Sequence, residues 1–214
     1  TDRGIRGATL PNVTEDLLAR LMSADFDAMA VRCRAVADLL TDAGEAHLTC
    51  PLGTDFRVDL RGRGGIADDG DLTAAGAFGN LPCGEGFIAP ANGEGTIFAR
   101  TEPLTGMQDE PLRVEVRDGL LVEATNPTFL AALDAHGEKG RNLAELGVGT
   151  NDRATLTGNI LEDEKILGTA HVAFGASQAI GGNVTVPVHL DVVVVDASLT
   201  IGSTQVLDAG RFLL

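Results

Sequence analysis

The chain has 214 residues, 44% hydrophobic and 22% charged, which suits a water-soluble globular protein of one large or two small domains. Acidic residues number 31 against 16 basic ones, and a net charge of −15 repels a phosphate backbone, which argues against nucleic acid as a partner. Cys33, Cys50 and Cys83 show no C-x-x-C spacing, and no run has transmembrane length or a signal-peptide pattern, so the expected setting is a reducing cytoplasm away from membranes.

Thr1 is either a nucleophile activated by its own amine or simply an end left by removal of something upstream. An irregular lead-in closes at Leu10-Pro11-Asn12. Thr14, followed by Glu15 and Asp16, reads as an N-cap with acids in the first turn, opening a helix through Met22. A second helix is expected from Ser23 to Thr41, where Phe26, Met29, Cys33, Val36, Ala37 and Leu40 recur at helical steps before Gly44. Nothing earlier in the chain offers that stripe a partner, which predicts an N-terminal portion or a separate chain packed against it. Residues 1–45 are therefore read as a helical lead-in or linker from a missing N-terminal domain, and 46–214 as the metal-binding catalytic domain.

From Ala46 the period changes to two. His47–Cys50 and Asp55–Leu60 predict a hairpin, with His47 an ordinary strand residue, and Arg61–Gly70 reads as loop. Gly79–Phe87 is tight and glycine-rich, and it presents one carboxylate, Glu85, just after Cys83, which is a thiol ligand or an inert packing residue. Strands are expected at Gly95–Phe98, Leu112–Arg117 and Leu120–Ala124, the last two joined by Asp118-Gly119. Asn126-Pro127 opens a helix to about Ala135, and the segment Gly137–Gly149 carries Glu145. Asp163-Glu164-Lys165 reads as a solvated turn with a local ion pair. Further strands are expected at Gly168–Gly175, Val184–Val195 and Ser198–Ile201, and Gln205–Gly210 as a turn into the tail.

Within Thr185–Val195 an imidazole and a carboxylate, His189 and Asp191, stand two apart among valines. Side chains alternate along a strand, so both point to one face. Such a pair either closes a core gap by a hydrogen bond or ligates a metal. Glu85, Glu145 and His171 complete a set lodged in apolar or glycine-rich surroundings. Three carboxylates with two neutral imidazoles balance two divalent cations and a hydroxide, or a single cation with one negative charge left over as a general base, whereas without metal the buried acids must take up protons.

At these residues the chain resembles the aminopeptidase T/aminopeptidase S family of metallopeptidases. The matching blocks are NLPCGEGFIAP (80–90), RNLAELGVGTN (141–151), GNILEDEKILGTAHVAFG (158–175) and VPVHLDVVV (186–194). The resemblance implies an α+β fold, a helical lead-in followed by a mixed, mostly antiparallel curved sheet around a metal-lined pocket. It also implies a two-metal cluster of zinc, cobalt or manganese on Glu85, Glu145, His171, His189 and Asp191. Hydrolysis of a small peptide or amide, an N-terminal domain and a homodimer around an enclosed cavity belong to the same expectation. The family's catalytic tyrosine is replaced here by Gln178, and the chain has no tyrosine at all. A neighbouring branch, similar to 2,5-dihydroxypyridine 5,6-dioxygenase, opens an aromatic ring with one iron held by two histidines and an aspartate. There His189 and Asp191 would match again, with His136 as the third ligand. A non-catalytic module that keeps the pocket is the remaining alternative.

Overall fold

In chain order come β1 (Gly7–Thr9), α1 (Glu15–Leu21), α2 (Phe26–Leu40), β2 (Glu45–Thr49), β3 (Asp55–Asp59), β4 (Ile66–Asp68), β5 (Phe78–Asn80), β6 (Glu85–Ile88) and β7 (Asn92–Glu102). The second half runs β8 (Gly106–Arg117), β9 (Leu120–Ala124), α3 (Pro127–Asp134), β10 (Leu143–Gly149), α4 (Ile160–Asp163), β11 (Ala170–Gly175), β12 (His189–Val194), β13 (Ser198–Ile201), β14 (Thr204–Asp208) and β15 (Arg211–Phe212). This computed structural model describes residues 4–10, 12–41 and 43–214; the candidate nucleophile Thr1 lies outside them. No helix among the described residues is long and apolar enough to cross a membrane.

The α+β expectation holds: a few helices accompany a curled, antiparallel 13-stranded sheet in the order β15-β14-β13-β2-β3-β7-β12-β11-β10-β6-β4, with β8 and β9 branching from β7. A separate parallel pair joins β1 to β5, with Gly7 opposite Phe78 and Thr9 opposite Asn80. α1 starts as its sequence predicts, while α2 begins at Phe26 after the N-cap Asp25, later than the Ser23 expected. Thr14 Oγ1 accepts from Leu17 N at 3.2 Å and Asp25 Oδ1 accepts from Ala28 N at 3.0 Å, each satisfying an otherwise orphaned N–H.

The apolar stripe of α2 finds its partner inside the chain. Met29, Cys33, Val36, Ala37 and Leu40 are buried, and the helix packs on β6 and β4. Contact is close enough that a Cβ on Gly86 would lie 2.7 Å from Val36 Cβ and 2.8 Å from the Cys33 carbonyl oxygen. The sequence reading missed this because β4 lies within the stretch expected to be loop. It is three residues long, too short to show a period. Other strands also went unread, among them β10, whose glycines and glutamate break the apolar run, and β14, read as a turn into the tail.

Truncating this stripe should be costly and truncating the opposite face should not. Leu40→Ala, at a fully buried site, should lower unfolding free energy by about 2–5 kcal/mol in urea titrations. Val31→Ala, on the outward face at 68% exposure, should stay within about 0.5 kcal/mol of the parent.

Candidate metal centre

Four adjacent antiparallel strands, β6, β10, β11 and β12, carry the five residues, and their register lines them up. Glu85 stands opposite Gly149, and Gly147 lies between Phe87 and His171. Ala173 lies between Glu145 and Asp191, and Gly175 opposite His189. Directly opposite residues share a face, so the ligating side chains project over small neighbours. At Gly147 the reason is explicit: a Cβ there would sit 2.0 Å from His171 Nε2, in the volume the imidazole occupies. A register shift between Leu143 and Glu145 on β10 re-aims Glu145 toward the centre of the group.

The five side chains come together, in two groups rather than the one shell the sequence suggested. His171 Nε2 lies 3.1 Å from Glu85 Oε2 and 3.2 Å from Glu145 Oε1. His189 Nε2 lies 3.4 Å from Glu145 Oε2 and 3.7 Å from Asp191 Oδ2. The ligand-competent atoms form two triads, Glu85–Glu145–His171 and Glu145–His189–Asp191, with Glu145 common to both. His189 Nδ1 contacts the Ala176 carbonyl oxygen at 2.7 Å. A carbonyl only accepts, so Nδ1 carries the proton and in the neutral ring Nε2 presents its lone pair to the carboxylates.

Lys165 was not foreseen. Asp163-Glu164-Lys165 is buried, which corrects the reading of a solvated turn. Lys165 Nζ donates to Glu85 Oε1 at 2.7 Å and to Glu164 Oε1 at 2.5 Å, with its side chain fully enclosed. Burial opposes its charge, but Glu164, Glu85 and Asp68 outweigh burial and hold the ammonium well above the usual lysine range. Burial likewise opposes ionisation of Glu85, yet Lys165 and His171 keep it below the usual carboxylate range. His171 and His189 do the same for Glu145. Glu164 behaves oppositely: burial dominates and its carboxyl is pushed up to about 8.

A cavity of about 300 Å³ opens on this group, bounded by Glu85, Glu145, Glu164, His189 and Asp191, with Asn80, Phe87, Ala176, Ala179 and Ile180 completing its wall. Gln178 is not part of that wall. Its side chain is exposed and only its backbone N–H is engaged, with the Val184 carbonyl, so the tyrosine-equivalent position does not face this cavity. His136 also stands apart. It is exposed between α3 and a short 3-10 turn and belongs to neither triad, so the third-ligand expectation fails on geometry. Cys83 is buried beneath the site, and desolvation pushes its thiol up to about 12, too high for a thiolate at neutral pH.

A 2,5-dihydroxypyridine dioxygenase from Pseudomonas putida has a similar fold, with a TM-score of 0.81 at 20% identity over 92% of this chain and 62% of that one. Wild-type AmpT from Thermus thermophilus is also similar, with a TM-score of 0.68 at 21% identity over 97% of this chain and 62% of that one. The chain thus spans about three-fifths of the length of these two relatives, 62% of each. At such identity the likeness establishes the fold alone. No curated protein sequence matches. The sequence profile of the NicX family, described as 2,5-dihydroxypyridine 5,6-dioxygenase, matches residues 8–214, and the chain belongs to that family.

Proposed function

We propose that the chain carries the centre of a two-metal hydrolase acting on a peptide or amide bond. The observation behind this reading is the pair of triads sharing Glu145, each with its own histidine. A single iron on two histidines and a carboxylate needs both imidazoles in one set, and among the described residues no triad contains both. The donors fit hard or borderline divalent ions: three carboxylates and two imidazole nitrogens face one another, and Glu85 Oε2 is buried without a hydrogen bond. Glu85, Glu145 and His171 would hold one ion and Glu145, His189 and Asp191 the other. Bound ions of this kind polarise a carbonyl and lower the pKa of a bound water to about 7.

The chain's own groups supply the rest. Lys165 fixes the Glu85 carboxylate through Oε1 and leaves Oε2 free on the ligand side. Glu164 lines the cavity with Oε1 held by Lys165, and burial favours its protonated form, which makes it the proton donor of this reading. It stands in for the missing tyrosine, and Gln178 does not. Phe87, Ala176 and Ile180 give an apolar wall against which substrate can shed water. A segment outside the chain, or a second copy forming a homodimer, would close the open side.

The family match and the closer fold likeness support a second reading, oxygen-dependent opening of a hydroxylated pyridine ring at one iron. Elemental analysis separates the two. The hydrolase reading expects about two equivalents of zinc, cobalt or manganese per chain and release of amine from amino-acyl amides, both lost in Glu145→Ala. One equivalent of iron, with oxygen consumed in the presence of 2,5-dihydroxypyridine, would hand the protein to the second reading. Glu164→Gln should lower kcat on amino-acyl amides by about a hundredfold or more without changing metal content.

Metal-free protein should show an unusual pH slope. Burial opposes the imidazolium of His189, but Asp191 and Glu145 outweigh it and its pKa is pushed up to about 12; His171 is raised for the same kind of reason. A histidine raised in the folded state contributes stability that is complete below its unfolded pKa of about 6.5 and declines as pH rises toward the folded value. Thermal stability without metal should therefore fall from about pH 6.5 to pH 9. Saturating zinc, which displaces those protons, should abolish or reverse the slope in the same calorimetric scans.

A further inference from the structure

Next to the metal centre lies a second hollow of about 290 Å³, lined by Asp68, Ile66, Phe78, Gly79 and the residues it shares with the first. Asn80, Glu85, Phe87, Ala179 and Ile180 line both, so the two form one continuous cleft. Its walls are mainly apolar. Besides Glu85, shared with the metal centre, it holds one carboxylate of its own, Asp68, at the end of β4 and directly opposite Glu85 on β6.

Asp68 differs from the acids around it. Asp69 pairs with Arg34 at 2.6 Å and Glu85 with Lys165 at 2.7 Å. The Asp68 side chain has no hydrogen bond or ion pair among the described residues, and its Oδ2 is buried without a partner. Its other oxygen reaches toward β5, where a Cβ on Gly79 would lie 3.2 Å from Oδ1. Like charges directly opposite on paired strands are unfavourable, and an uncompensated buried carboxylate is more so. Neither ligand triad includes Asp68, so metal does not account for it. A carboxyl group left without a partner in the wall of a cleft fits an external hydrogen-bonding cation.

We propose that this second hollow is a specificity subsite for a basic, apolar-stemmed group, with Asp68 accepting hydrogen bonds from an ammonium such as that of a lysine-like side chain. Ile66, Phe78, Phe87 and Ile180 surround the aliphatic stem, and Asp68 takes the charged end. The assignment of that group to a substrate's N-terminal residue rests on the hydrolase reading; the cation preference of the hollow does not.

The test uses two probes of equal length, pentylamine and pentan-1-ol, titrated calorimetrically into metal-free protein and into Asp68→Asn. The amine should bind about tenfold or more tightly than the alcohol in the parent, and Asp68→Asn should remove that preference. Removing an unpaired charge should also leave Asp68→Asn at least as thermally stable as the parent, which separates lost binding from lost folding. In the metal-loaded protein, kcat/KM for lysyl amides should exceed that for norleucyl amides, and Asp68→Asn should level the two. If neither amide is cleaved but the amine preference follows Asp68, the hydrolase reading fails and the subsite stands. Equal binding of amine and alcohol by the parent, or an amine preference that survives in Asp68→Asn, overturns the proposal.

Discussion

Everything at the centre of this protein depends on keeping like charges together out of water. Glu85, Glu145 and Asp191 gather on one face of a buried sheet with Glu164 at their side, and an isolated carboxylate in such a place would take up a proton. Lys165 resolves one half of the problem: a fully enclosed ammonium bridges Glu85 and Glu164. The two imidazoles, and any cations they accompany, resolve the other half. A buried ion pair contributes little net stability, because desolvation offsets most of the attraction. Its value here is positional, since it holds Glu85 with one oxygen committed and the other aimed at His171.

Sheet geometry does the remaining positioning. Ligands on successive strands are brought side by side by register, and glycine or alanine lies across from each of the five. This is why residues separated by over a hundred positions reach a common centre without a local motif. Rigid strands also suit ligands better than loops do, because neighbouring hydrogen bonds fix the backbone from which each side chain projects.

Much of the centre was legible in the residue types. An imidazole and a carboxylate two apart in a run of valines are costly enough to announce themselves, and the glycine-flanked Glu85 stood out for the same reason. What stayed hidden did so because local sequence carries no signal of enclosure. Asp-Glu-Lys looks like a surface turn, and only the packing of α4 beside β12 and β7 buries it. Asp68 vanished into a glycine-rich stretch whose strand is short, and β10 lost its strand signature to the glycines that make room for His171. His136 and Gln178 erred the other way. Alignment to a family pattern placed them near the site, whereas the fold leaves His136 at an exposed helix end and turns Gln178 outward.

The small parallel pair of β1 and β5 has a consequence for how the cleft comes into being. Thr9 Oγ1 donates to Asn80 Oδ1 at 2.6 Å, and the Leu81 N–H donates to the Thr9 carbonyl, joining residues 71 or more positions apart. Hairpins of the large sheet close over a few residues; this contact must close a long loop, and each doubling of loop length adds about 0.6 kcal/mol of entropy cost. Phe78, Gly79 and Asn80, which that pair holds in place, form the rim of the second hollow. β10, β11 and β12 pair with their neighbours in chain order, while the rim, like the β6–β10 pairing, requires distant segments to meet. The second hollow therefore shares with the β6 side of the metal centre a dependence on long-range closure of the chain.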